Sequence, residues 1–165
     1  MTDIALKVDN GNFILKVGAI IINDNKVLMI KNDAFPYYYT IGGRVKYGET
    51  SVNAVLRETF EETNIFFEID RLAFIHENFF IADFMENKFC HEIALYYMMK
   101  KSKSLDNMLC TSTVLNGVKE YLHWLPLDKL SEYPVFPEFY ITELTSLKDE
   151  VIHFITKDEV TIRIM

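Results

Sequence analysis

Runs of β-branched and aliphatic residues open the chain, first from Phe13 to Ile22 and then from Lys26 to Ile30, separated by Asn23-Asp24-Asn25. Asn and Asp tolerate turn conformations, so the two runs read as the strands of a hairpin. The stretch Phe35-Pro36-Tyr37-Tyr38-Tyr39-Thr40-Ile41 ends in Gly42-Gly43 and reads as a loop whose glycine pair lets backbone approach a ligand closely. From Thr50 the period of the pattern changes: Val52, Val55, Leu56, Thr59 and Thr63 recur at helical spacing. Thr50 or Ser51 is the expected N-cap, and Asn64 stands where a left-handed C-terminal residue belongs, so one amphipathic helix is expected to run to Thr63.

Further along, Glu68 to Phe80 and Phe89 to Lys101 read as strands joined by a polar turn near Asp83 to Lys88, and Tyr121 to Leu125 reads as another strand. Pro126 and Leu127-Asp128-Lys129-Leu130 predict a short helical turn. Pro137 to Leu147 predicts a second helix with proline at its start, and Val151 to Thr156 a closing strand. No repeat, low-complexity tract or linker divides the sequence, so residues 1–165 are expected to form a single domain. The class is α+β, a mostly β middle with helices packed on its faces.

Half of the 165 residues are apolar, enough to bury a core without disulfide help, and the cysteines Cys90 and Cys110 have no CxxC spacing. Lys plus Arg total 17 against 24 Asp plus Glu, a formal charge of −7, which gives no electrostatic grip on a nucleic-acid polymer. An acidic protein that handles phosphates needs a cation to mediate. The segment Met1 to Phe13 carries Asp3, Lys7 and Asp9 instead of a basic region followed by an apolar stretch. The longest apolar runs, Val17 to Ile22 and Ile93 to Met99, fall far short of the ~18–20 residues of a membrane span. A soluble, cytoplasmic protein with no membrane partner is expected.

Candidate chemistry gathers on the predicted helix. At ~100° per residue, Glu58, Glu61 and Glu62 fall within roughly a third of its circumference, expected opposite Val52, Val55, Leu56 and Thr59. Glu58 and Glu62 form an i,i+4 like-charge pair that calls for positive compensation. Arg57 can pair with Glu49 and pin the preceding loop to the helix, while a hard divalent cation suits the remaining carboxylates. A solvated acidic face is the ordinary meaning of such a cluster. Here, however, the spacing adds a glycine pair, a Glu six residues after Gly43, and Arg57-Glu58-Thr59-Phe60-Glu61-Glu62 beginning eight residues after Glu49.

At these residues the sequence resembles the Nudix hydrolase family, whose signature is Gly, five residues, Glu, seven residues, then Arg-Glu-hydrophobic-x-Glu-Glu-x-Gly-hydrophobic. Gly43, Glu49, Arg57, Glu58, Glu61, Glu62 and Ile65 match in register. The flanking strands and Trp124-Leu125-Pro126-Leu127 extend the likeness to nearly the whole chain. Three positions depart from the pattern: Thr59 replaces an aliphatic, Asn64 replaces the closing glycine, and Ile41 stands where many members have proline. None removes a carboxylate.

The resemblance implies a Nudix fold, a mixed β-sheet core sandwiched between α-helices. It also implies hydrolysis of a pyrophosphate bond in a nucleoside diphosphate linked to another moiety, by water attack on phosphorus with Mg²⁺ or Mn²⁺. By motif position Glu58 and Glu62 are metal ligands, Glu61 a ligand or general base, and the Gly42 carbonyl a further ligand. Glu49 and Arg57 are the structural pair. Members often recruit another carboxylate from outside the signature, for which Glu120 is the first candidate, with Glu77 and Glu92 behind it. Arg44 and Lys46 are placed to meet phosphate oxygens. Tyr37, Tyr38, Tyr39, Phe79 and Phe80 offer stacking surface for a base. The expected partner is a small-molecule nucleotide.

A metalloprotease HExxH fails at His91-Glu92, because residue 95 is Leu and the segment reads as a strand. No GxGxxG, GxxxxGK[ST] or GxSxG occurs. The alternatives within the fold are a non-catalytic module that binds a nucleotide such as ADP-ribose, and an isomerase. The apolar, aromatic-rich strands would tolerate a homodimer.

Overall fold

The computed structural model describes residues 1–9, 11–82, 88–103, 105, 112–115, 117–157 and 160–164. The first apolar run becomes strand β2 (Gly11–Ile20), preceded by β1 (Ala5–Val8), and the short β3 (Ile22–Asn23) turns into β4 (Lys26–Asn32). Asp24 and Asn25 occupy the positive-φ positions of that turn, at 47° and 59°. The aromatic stretch is not a loop throughout. From Tyr38 it forms β5 (Tyr38–Arg44), because Tyr, Thr and Ile favour the pleated state and find partners on both sides, β4 at Tyr39 and Thr40 and β2 from Ile41 to Arg44.

Helix α1 spans Ser51–Thr63, with the Thr50 side chain accepting the Asn53 N–H and Asn64 in the left-handed region. Two long strands, β6 (Ile69–Ala82) and β7 (Lys88–Met99), pair antiparallel. The polar turn expected between them falls on residues 83–87, which lie outside the described residues, as does Cys110. Strands β8 (Ser112–Leu115) and β9 (Val118–Pro126) follow, then a 3-10 turn (Leu127–Glu132), β10 (Val135–Phe136), α2 (Tyr140–Glu143), β11 (Ile152–Lys157) and β12 (Val160–Ile164).

The second helix is much shorter than the predicted Pro137 to Leu147. Around Tyr140 to Thr142 the N–H groups bond three residues back, and the Thr142 and Thr145 hydroxyls bond to the carbonyls of Phe139 and Thr142, so side chains compete with the α-helical ladder. Nor does Val151 to Thr156 close the fold, since β11 is followed by β12 paired antiparallel to it.

Across the sheet the order is β12-β11-β6-β7-β2-β5-β4-β9-β8, with β1, β10 and β3 pairing off the path. The sheet is mixed: β2 runs parallel to β7, β11 to β6 and β10 to β5. Both faces are covered, and β4 shows it most directly. Val27 and Met29 join one buried cluster with Leu127, Leu130, Phe139, Tyr140 and Leu144, whereas Leu28 and Ile30 join another with Ala54 and Val55 of α1. Such a strand loses the alternating pattern because neither face meets water. The mixed sheet between α1 on one side and the 3-10 turn with α2 on the other is the expected layered architecture. No helix among the described residues is long and apolar enough to cross a membrane.

Candidate active site

Packing α1 on β2 and β5 decides which side of the helix is buried. That side carries Ala54, Val55, Thr59, Glu62 and Thr63, whereas Val52 is largely exposed. Glu62 therefore does not lie opposite the packing face as its spacing suggested; seven residues on from Val55, it points under the helix. Thr59 is accommodated in the interior by donating its hydroxyl to the Val55 carbonyl at 2.6 Å.

Glu62 is 9% exposed, and one of its carboxylate oxygens accepts the Gly42 N–H at 3.0 Å. The Gly42 N–H thus ties β5 to the helix carboxylate. Gly42 has φ of 145°, and a Cβ there would run into the Val17 carbonyl and the Gly18 backbone, so only glycine lets β5 lie this close to β2. Next to it, a Cβ on Gly43 would lie 2.5 Å from the Glu58 carboxyl carbon. Gly43 thus gives the half-buried Glu58 carboxylate its room, while Gly42 supplies the N–H that buried Glu62 accepts.

Arg57 organises the loop before the helix. Its Nε and Nη2 donate to the two Glu49 oxygens at 2.8 and 3.0 Å, Nη2 also reaches the Arg44 carbonyl at 3.2 Å, and Nη1 meets Glu58. Glu49 also accepts the Lys46 N–H at 3.0 Å. Those bonds, the Arg57 guanidinium foremost, hold the Glu49 carboxyl down to about 2 and push the Arg57 pKa up. Glu61, half exposed, lies 3.4 Å from Arg57.

The remaining carboxylates repel one another in a dry place. Burial raises the pKa of Glu58 despite Arg57. Burial raises Glu62 well above the usual range, and the charges of Glu58 and Glu120 push it the same way. Glu120, 8% exposed on β9, accepts the Tyr39 hydroxyl at 2.6 Å. Of the other candidates, Glu77 pairs with His153 at 2.8 Å and Glu92 with Lys16 at 3.7 Å.

Arg44 faces Asp3 at 3.6 Å at the end of β5. Tyr37 stacks on Phe35 with centroids 5.4 Å apart and meets Tyr39 edge-on. Tyr38 faces the opposite cluster, against His123 and Tyr133, and Phe79 stacks on His91, so neither joins this group. Phe80 packs with Ile14, Ala82 and Cys90 in a small separate core. Asn32, which the sequence reading passed over, donates its amide to the Tyr39 hydroxyl at 3.0 Å. An Asn ending an apolar strand just before Asp33-Ala34 was the signal of a side-chain-stabilised turn.

As arranged, no three His, Cys, Asp or Glu side chains among the described residues converge closely enough to hold a metal ion. The donor chemistry nevertheless fits one. Glu58, Glu62 and Glu120 are hard oxygen donors whose mutual repulsion and burial leave Glu62 without adequate positive compensation, the condition a divalent cation relieves.

A family model described as the NUDIX domain matches residues 13–143. A comparison with curated proteins finds no match. Among solved structures, the chain is similar to a mutator MutT protein from Bacillus halodurans at TM-score 0.69 and 18% identity, over 91% of this chain and 97% of that one. A MutT protein from Methanosarcina mazei Go1 superposes at TM-score 0.57 and 20% identity, covering 81% and 91% of the two chains. An ADP-ribose pyrophosphatase from Streptococcus suis 89-1591 does so at TM-score 0.52 and 14% identity, covering 87% and 98%. At these identities the likeness is one of fold.

Proposed function

Because the chain belongs to the Nudix family, its NUDIX domain spanning residues 13–143, we propose that it hydrolyses a pyrophosphate bond in a nucleoside diphosphate linked to another moiety, using Mg²⁺ or Mn²⁺. The observation that carries this reading is the burial of Glu62 against Gly42, with the charges of Glu58 and Glu120 raising its pKa. A helix face meant only for solvent would not place its carboxylate there.

Glu58 and Glu62 are the residues that would hold the cation, with Glu61 as a third ligand or as the base and the Gly42 carbonyl as a further donor. When bound, the cation supplies charge neutralisation for both carboxylates and phosphates and lowers the pKa of water. The chain's own residues do the rest. Arg57 holds Glu49 and Glu58, so the loop from Gly43 to Glu49 and the helix keep one geometry. Glu120 on β9, near enough for its charge to raise the pKa of Glu62, would take a proton from the attacking water. Arg44 at the end of β5 would meet phosphate oxygens by exchanging its exposed partner Asp3. The phosphorus–oxygen bond formed by water replaces the anhydride bond, and the leaving phosphate carries away the electron pair. The ADP-ribose pyrophosphatase structure of the same fold supports ADP-ribose as the first substrate to try.

The test is phosphate or mononucleotide release from nucleoside triphosphates, ADP-ribose, nucleotide sugars and dinucleoside polyphosphates, with Mg²⁺, with Mn²⁺ and with chelator. Metal-dependent turnover that Glu61→Gln or Glu62→Gln abolishes in a folded protein supports the hydrolase. Absence of turnover with nucleotide binding retained in thermal shift would overturn it in favour of a binding module.

A further inference from the structure

Asn32 closes β4 directly opposite Glu120 of β9, and Tyr39 of the neighbouring strand reaches both. The Asn32 Oδ1 accepts the N–H groups of Ala34 and Phe35, each at 2.9 Å. An amide whose oxygen is engaged by two backbone donors has its orientation set, and its NH₂ points at Tyr39, donating at 3.0 Å. A hydroxyl that receives this bond has its own proton to give. Tyr39 gives it to Glu120 Oε1 at 2.6 Å, the length of a charge-assisted bond. Neither bond can reverse, because a carboxylate only accepts and the amide oxygen is occupied.

We propose that Asn32 and Tyr39 are positioning residues for Glu120. They hold one of its carboxylate oxygens still and leave the other for the attacking water. This rests on the hydrolase reading above and refines it: Tyr39 acts through Glu120 and does not serve as a stacking surface for a base. Stacking belongs instead to the parallel pair Phe35 and Tyr37, on the turn that Asn32 also organises. One side chain therefore ties the turn bearing that aromatic pair to the carboxylate that handles the proton. Asn32 and Glu120 are both buried, so this link is not loosened by competing water.

The experiment measures steady-state kinetics with ADP-ribose, dGTP, UDP-glucose and diadenosine tetraphosphate, continuing with whichever the wild type hydrolyses. Tyr39→Phe keeps the ring and removes the proton. The expected result is a loss of about 10–100-fold in kcat with KM within about two-fold and the melting temperature retained. Asn32→Asp keeps the bonds to Ala34 and Phe35 but sets a second carboxylate beside the Tyr39 proton, and the same kcat loss is expected. In a Glu120→Gln background, Tyr39→Phe adds no further loss, because the two changes remove one interaction. Wild-type kcat in Tyr39→Phe, a raised KM with kcat kept, or losses that multiply in the double variant would each overturn the proposal alone. A wild type inactive on every probe would overturn the hydrolase reading, and this proposal with it.

Discussion

The Glu58 carboxyl group occupies the space that a side chain at residue 43 would fill: a Cβ on Gly43 would lie 2.5 Å from its carboxyl carbon. Two neighbouring glycines therefore serve different ends. At Gly42 the obstacle is backbone, and φ itself is in the range that only glycine adopts freely. At Gly43 the obstacle is the far end of a flexible side chain.

Alanine at each position is expected to separate stability from chemistry. Gly42→Ala should destabilise by about 2 kcal/mol or more, because Val17 and Gly18 cannot yield without opening the β2–β5 pairing. Gly43→Ala should cost less than about 1 kcal/mol while lowering turnover at least ten-fold, since the Glu58 carboxylate must swing away. Denaturant melts and kinetics on the same samples check both.

Glu62→Gln should raise stability and abolish activity together. Burial and the neighbouring charges disfavour its ionised form, and glutamine keeps the oxygen that accepts the Gly42 N–H. A gain of about 0.5–2 kcal/mol at pH 7 without metal is expected, read from urea unfolding. A destabilised Gln variant would mean that the carboxylate charge is already compensated in the folded protein.

Acid should attack the Glu49–Arg57 pair in a definite window. The Glu49 carboxyl lies at about 2 in the folded protein against an ordinary 4.5, so its contribution is complete above pH 4.5 and lost as pH falls from there towards 2. Glu49→Gln should remove this slope, and Arg57→Lys should restore little of the pairing, because an ammonium cannot address both carboxylate oxygens and the Arg44 carbonyl together. Unfolding at pH 3, 5 and 7 tests the slope.

A second pH dependence lies higher. Burial, with the charges of His153 and Lys16, lowers the His76 imidazole to about 4 from 6.5, and its Nε2 bonds the Thr156 hydroxyl at 2.8 Å. The unfolded chain binds this proton first, so stability is complete above pH 6.5 and declines as pH falls to 4, by about 3 kcal/mol. His76→Asn should be less stable at pH 7 yet flat between pH 4 and 6.5. A variant retaining the wild-type slope would assign it to another group.

Much of the outline was readable in one dimension because it rests on local chemistry. Thr50 caps α1 through its own side chain, and Asn64 adopts the left-handed turn at φ of 57°, both within a few residues of the groups they satisfy. The hairpin through Asp24 and Asn25 is equally local. The loop expected through Tyr39 failed for the opposite reason: its strand pairing is made by β2 and β4, and Gly42-Gly43, expected to let backbone approach a ligand, lets β5 approach β2 and the Glu58 carboxylate.

By itself the sequence determined the elements of the acidic helix, the order of its carboxylates and the family pattern they belong to, since spacing along a helix is a property of the chain. Only the tertiary structure decided which of them are buried. Packing α1 on β2 and β5 turned Glu62 inward and left Glu61 half exposed, while the sheet order β5-β4-β9 brought Tyr39 and Glu120, 81 residues apart in sequence, to 2.6 Å of each other. Periodicity reports which side of an element faces apolar neighbours, but a buried carboxylate is silent in that signal, because its polarity argues for water and only the surrounding fold removes it.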